Sequence, residues 1–162
     1  MKSVFAIDPG SRMSAYCVVQ EGFQPDVFGK VQNEELIRIV KAQKGVVDAV
    51  VIEQVASYGM PVGREVFTTC EWIGRFKQIA INNKLHTAEL FRKDVTVEVC
   101  GSAKAGDSNV RRALIDRFAK HDFVNGKGTR GNPDWFHGFA ADVWSAYAIG
   151  YTYMIKRGRG EI

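Results

Sequence analysis

The stretch Val4-Phe5-Ala6-Ile7-Asp8-Pro9-Gly10-Ser11 decides how this chain is read. Four apolar residues end abruptly on a carboxylate, and a Pro-Gly pair turns the chain at once. An unbroken apolar run of this length reads as a buried strand, and Pro-Gly marks a tight return. The run Tyr16-Cys17-Val18-Val19 supplies an antiparallel partner, so the chain opens on a hairpin with Asp8 at the carboxyl end of its first strand. An acid on a central strand is costly unless a cation or a divalent metal offsets its charge. A turn aspartate bonded to its own backbone leaves the same local pattern, so the remainder of the sequence has to decide.

Working outward, Val27-Phe28-Gly29-Lys30-Val31 reads as a third strand. Asn33-Glu34-Glu35 caps a helix through about Ala42, with Leu36, Ile39 and Val40 on one side. The run Val46 to Ile52, broken only by Asp48, again ends on an acid, Glu53, and suits a strand covered on both faces. Pro61 opens a long helix to about Asn82. Its core stripe is Val62, Val66, Thr69, Cys70, Ile73 and Ala80, and Trp72, Phe76 and Ile79 form a second stripe. His86 to Phe91 is a short strand, and Val95 to Cys100 a short element of either type. Ser108 to Phe118 is helical, and Asn125 to Asn132 is a Gly-rich basic loop. A last apolar helix starts at Asp142 and runs to about Ile155, before a frayed basic tail over residues 156–162. The alternation predicts an α/β fold, a mixed sheet built around the two acid-ending strands.

With 162 residues and no linker or repeat, the chain reads as one domain, residues 1–162. A hydrophobic content of 46% with 25% charged residues is that of an ordinary globular protein. The net charge of +4 leaves room for an anionic partner without requiring one. Cys17, Cys70 and Cys100 form no CxxC pair and are expected as reduced, mostly buried thiols. No apolar run approaches the roughly 20 residues of a membrane span, and the start carries no signal-peptide pattern. A cytoplasmic protein without a membrane partner is expected.

Three acids share one grammar. Asp8 and Glu53 each stand where an apolar strand stops, and neighbouring strands that end on one edge bring such side chains together. Asp142 opens a helix within Ala140-Ala141-Asp142-Val143-Trp144-Ser145-Ala146, and it shares a helical face with Ala146, Ile149 and Tyr153, which points it along the core side. Taken singly, Asp142 also reads as a capping residue. Clustered and partly desolvated, the three would repel one another, and a pair of divalent cations would relieve that. Two hard metals on carboxylates are the machinery of in-line phosphodiester hydrolysis.

The chain resembles the RuvC-like Holliday-junction resolvases of the RNase H-like superfamily, most of all their bacteriophage members. The residues carrying the resemblance are Ala6-Ile7-Asp8-Pro9-Gly10, Val51-Ile52-Glu53-Gln54, Gly106-Asp107-Ser108-Asn109-Val110-Arg111 and Ala141-Asp142-Val143-Trp144-Ser145-Ala146, in order along nearly the whole chain. The resemblance implies a five-stranded mixed sheet flanked by helices, Mg²⁺ (or Mn²⁺) with two ions per site, and four-way DNA junctions cut by a homodimer. It implies that Asp8, Glu53 and Asp142 are the catalytic, metal-binding acids, and, for a phage protein, the cytoplasm of a bacterial host. One position departs from the pattern. Bacterial members usually carry a further acid three residues before the last one, and Phe139 stands there. Asp134, His137 and Asp107 are the candidates to replace it.

Basic residues lie in segments next to the acid-bearing edge. Phosphate contacts dominate nucleic-acid affinity and need only cations and backbone amides. Lys104, Ser108, Arg111 and Arg112 surround a helix start, where backbone N–H groups suit a phosphate. Arg75 on the long helix and Lys127 and Arg130 in the Gly-rich loop extend the DNA-binding set, and Tyr58, just past Glu53, is placed to stack on an unpaired base. The second apolar stripe of the long helix, residues 62–82, predicts a homodimer with Trp72 or Phe76 near the two-fold axis. Competing expectations are an RNase H-like nuclease on RNA or other branched DNA, and a catalytically silent junction-binding module. An actin-like sugar-kinase half also opens on an Asp-x-Gly hairpin, but the sequence shows neither its phosphate loop nor its second domain.

Overall fold

The apolar run that ends on Asp8 forms β1 (Ser3–Asp8), the middle strand of a five-stranded sheet, in a computed structural model that describes all residues 1–162. Around it lie β2 (Met13–Gln20), β3 (Pro25–Gln32), β4 (Ala49–Gln54) and β5 (His86–Phe91), in the spatial order β3-β2-β1-β4-β5. The β1–β2 and β2–β3 pairs are antiparallel, while β4 runs parallel to both β1 and β5. β1 and β4 therefore end on the same edge, with Ile7 paired to Ile52 one residue before the two acids.

Side chains alternate across these strands, and both faces are covered. Phe5, Ile7, Val50 and Ile52 face one way, against α1 (Asn33–Lys41) and α2 (Arg64–Asn82), through Leu36, Val40, Ile73, Phe76 and Ala80. Val4, Ala6, Ala49 and Val51 face the other way, against α3 (Arg92–Cys100), α4 (Asp107–Phe118) and α5 (Val143–Gly158). Asp8 and Glu53 continue the second series, so both belong to the face that α5 covers. That helix lies close on the sheet: a Cβ built on Gly150 would come within 2.7 Å of Val19 Cγ2. A glycine is what lets backbone approach backbone there.

Several sequence expectations are corrected. The long helix begins at Arg64, three residues after Pro61, with extended Gly63 as its cap. Phe76 is fully buried in the α1–α2 core rather than on a subunit face, while Cys70 is exposed. The buried stripe of α2 is Ile73, Phe76 and Ala80, rotated from the one its apolar spacing predicts. Asn33 does not cap α1. Its buried side chain donates to Gly10 O (2.9 Å) and accepts from Ser14 Oγ (2.6 Å), which in turn accepts from Gly10 N–H (3.1 Å), pinning the turn after Asp8. The open choice over 95–100 resolves as helix. α5 runs on to Gly158, and the tail is tied by Arg159 to Glu98 (3.0 Å) and by Lys156 to Glu161 (3.1 Å), so the expected fraying is not observed.

Candidate active site

The hairpin turn fixes where Asp8 sits. A Cβ on Gly10 would lie 2.2 Å from Met13 O, so only glycine lets the chain fold back this sharply behind the acid. Asp8, Pro9, Glu53, Gln54, Val55, Ala56, Tyr58 and Arg92 line a cleft of about 230 Å³ at this edge. Beside it, Arg92, Asp107, Val110, Arg111, Ala141, Asp142, Trp144 and Ser145 line a smaller one of about 130 Å³. Arg92, the first residue of α3, is common to both and is ion-paired with Asp107.

Electrostatics tie the three acids together. Burial, then the charges of Glu53 and Asp142, push the Asp8 carboxyl up to about 7, against the opposing pull of Arg92 and Lys30. Burial likewise raises Glu53, and Arg92 pulls it down. Neither carboxylate has a hydrogen-bond donor or an ion-pair partner, which leaves their oxygens free. Asp142 differs. It stands as the cap of α5, immediately after Ala141, whose φ of +46° is strained for a residue with a side chain. Its carboxylate is half-exposed rather than core-facing, and Lys30 Nζ donates to Oδ2 at 2.6 Å. Strand register explains the reach: Asp8, Ala15 and Lys30 lie side by side on β1, β2 and β3, and Ala15 is small enough for the lysine to pass over. Sequence reasoning missed Lys30; only the pairing register of β2 with β3 singles it out.

As the side chains stand, no three His, Cys, Asp or Glu residues converge to hold a metal ion. The donor chemistry nevertheless fits one: two unpartnered, mutually repelling carboxylates, Asp8 and Glu53, offer the hard oxygen ligands that Mg²⁺ and Mn²⁺ take.

The candidates for a fourth acid separate. Phe139 is buried in an aromatic cluster with Phe28, Phe136, Trp144 and Tyr147, so its position belongs to the core. Asp134 is corrected to a loop-organising residue. Its carboxylate accepts the N–H groups of Lys120, His121, Asp122 and Trp135 at 2.7 to 3.1 Å, and these outweigh its burial to hold it far below the usual range. His137 is exposed, with Nδ1 3.1 Å from Lys127 O, and lines a different cleft. Of the three only Asp107 shares a cleft with Asp142.

The basic residues separate too. Arg111 lines the Asp142 cleft, its guanidinium 5.3 Å from the Trp144 ring centre. Arg112 is corrected: its donors are used on Asp116 (3.0 Å), Val124 O (3.0 Å) and Phe123 O (2.5 Å), so it holds the following loop rather than a phosphate. Arg75 stacks over Trp72 in a groove between α1 and α2, under the opposite face of the sheet. Ser108 is exposed in the first turn of α4, whose cap is Gly106, and Lys104 is exposed in the loop before it. Arg130 is exposed and Lys127 half-buried in the loop that Asp122 and Asp134 organise. Tyr58 is 67% exposed at the rim of the Asp8 cleft with φ +51°.

A five-stranded mixed sheet, helices on both faces and acids on one edge make this the RNase H-like fold in its RuvC form. Among solved structures, the chain is similar to RuvC of Thermus thermophilus (TM-score 0.70, 14% identity, 98% of this chain and 97% of that one). It is equally similar to the same protein solved in complex with a Holliday junction substrate (TM-score 0.70, 14% identity, 99% and 98%). The yeast mitochondrial Holliday junction resolvase Ydc2 follows (TM-score 0.63, 12% identity, 98% and 80%). No protein-family model and no curated protein sequence matches the chain.

Proposed function

We propose that this protein is a divalent-metal-dependent endonuclease that resolves four-way DNA junctions. The carrying observation is the pair Asp8 and Glu53, two partly buried carboxylates without partners on the edge that also holds Asp142. The likeness over nearly the full chain to two resolvases, one of them solved on a Holliday junction, supports the substrate class. Mg²⁺ or Mn²⁺ would be held by Asp8 and Glu53 and would supply Lewis-acid activation of water and stabilisation of the leaving oxygen. Arg111, exposed at the Asp142 cleft, and Lys104, exposed in the loop before α4, would take phosphates and so orient the backbone, and Tyr58 at the rim would stack on an unpaired base. Ser108, Lys127 and Arg130 would add peripheral backbone contacts.

Two symmetric cuts call for a two-fold assembly. The apolar groove lined by Glu34, Ile37, Trp72, Arg75, Gln78 and Ile79 would supply its interface, with Trp72 and Ile79 replacing the buried Phe76 of the sequence expectation. A bacteriophage origin and a cytoplasmic location in a bacterial host remain part of the same proposal, carried by the sequence motifs.

The test is incubation with a synthetic four-way junction, with linear, nicked and RNA–DNA hybrid controls, in Mg²⁺, Mn²⁺ or chelator. Paired, metal-dependent nicks near the crossover are expected. Asp8→Asn, Glu53→Gln and Asp142→Asn should each lose at least about a thousandfold in rate, about 4 kcal/mol, while still binding the junction. Preferential cleavage of the hybrid would replace the substrate class. Tight junction binding without cleavage in any metal would identify a silent binding module.

A further inference from the structure

The nuclease reading leaves one charge unexplained. Lys30 lies on an edge strand, yet its ammonium reaches across to Asp142 at 2.6 Å. An ion pair with side chains 39% and 50% exposed contributes at most about 1 kcal/mol to stability, so holding the fold together does not account for it. Its position does. It sits on one of the three acids of the edge, in a chain whose further acid position is filled by buried Phe139.

Charge balance leads the same way. Four carboxylates, Asp8, Glu53, Asp107 and Asp142, face the two clefts, against three protein cations: Lys30 and Arg92, paired with Asp142 and Asp107, and Arg111, which lines the Asp142 cleft. The two carboxylates left over are Asp8 and Glu53, whose summed charge one divalent ion cancels. A second ion beside Asp142 would have to displace Lys30 and would then meet a net positive field.

We infer that Lys30 is a built-in second cation: the site takes one divalent ion, at Asp8 and Glu53, and the lysine ammonium stands at Asp142 in place of another. This rests on the nuclease reading and narrows its expectation of two ions to one. Lys30 thereby acts as a positioning residue. It keeps Asp142 from repelling an incoming phosphate without needing a metal there.

The test is Mn²⁺ binding to the DNA-free protein, followed by electron paramagnetic resonance and by calorimetry, for wild type, Lys30→Met and Lys30→Arg. Lys30 is on an exposed edge, so both variants should fold, which circular dichroism checks. Wild type should bind one Mn²⁺ per chain. Lys30→Met should bind two, or one at least tenfold more tightly, with a spin-coupled signal if two are adjacent. Lys30→Arg, which keeps the charge, should return to one. Two ions in wild type, or stoichiometry and affinity unchanged in Lys30→Met, would overturn the inference while leaving metal-dependent cleavage intact. No Mn²⁺ binding by any of the three proteins would overturn both it and the nuclease reading.

Discussion

At neutral pH the ionised Asp8 opposes folding, because burial and its acidic neighbours favour the protonated form. Its folded pKa of about 7 lies above the value of about 3.9 expected for the unfolded chain. Below pH 4 both states hold the proton and there is no penalty. Between pH 4 and 7 the unfolded state releases it first, so stability falls as pH rises, and above 7 the cost is constant. Asp8→Asn should therefore melt higher than wild type in chelator above pH 7, by on the order of a few kcal/mol, with the difference vanishing below pH 4. Excess Mn²⁺ should narrow the gap by stabilising only the wild type. Thermal melts across pH check this, and an Asp8→Asn protein no more stable than wild type in chelator would count against a desolvated, repelled carboxylate. Asp134 has the opposite sign. Its carboxyl is held low by backbone N–H groups, so its contribution is present above the unfolded value and is lost as pH falls below about 4. Asp134→Ala leaves those amides without an acceptor and should cost about 3 kcal/mol, measured by urea denaturation, at any pH above that window.

At the scale of elements, the approach of α5 to the sheet is set by Gly150. A methyl added there meets Val19 Cγ2 at 2.7 Å and Ala6 Cβ at 3.2 Å, in the middle of the two central strands. Gly150→Ala should destabilise by about 1 to 3 kcal/mol despite the better helix propensity of alanine, because the helix must lift from the sheet. Gly150→Ala with Val19→Ala should recover part of the loss. A shift of α5 also moves Asp142 at its start, so cleavage by Gly150→Ala should fall more than its folded fraction does. The loop between α4 and α5 is held differently, by Asp122 and Asp134 accepting backbone amides and by Trp135 stacked on Phe118 at 5.0 Å. It is a polar-cored loop closed over an aromatic cluster, which its glycine-rich sequence alone does not disclose.

For the molecule as a whole, charge and assembly carry the expectations. If DNA is held mainly through phosphates, junction affinity should fall steeply with salt, and Arg111→Ala should lower both the affinity and the slope, the slope by about one. Arg112→Ala should instead lower stability, since its guanidinium holds the 123–124 backbone. The dimer is read from the groove between α1 and α2. Ile79→Asp, at a half-buried site, should give a folded monomer by ultracentrifugation, whereas Phe76→Asp should unfold, because that ring has no exposed surface. A wild-type monomer both free and on DNA would remove the interface.

The apolar runs ending on Asp8 and Glu53, and the turn and hairpin between β1 and β2, were legible in the sequence because they depend on local chemistry: a buried strand must be apolar throughout, and a sharp return needs Pro-Gly. Strand order, the helical state of residues 92–100 and the buried stripe of α2 depended on which faces find partners, and a wide apolar arc on one helix does not say which stripe goes inward. The candidate site divides along the same line. Asp8, Glu53 and Asp142 stood out because each acid sits in apolar sequence. Lys30 did not, since a lysine on an edge strand reads as solvated, and only the register that sets it beside Ala15 and Asp8 brings its charge to Asp142. Likewise Asp134 is one of three candidate ligands in the sequence, and only the tertiary structure turns four backbone amides onto it. Local patterns name the residues whose burial must be compensated; the long-range packing of strands and loops decides what compensates them.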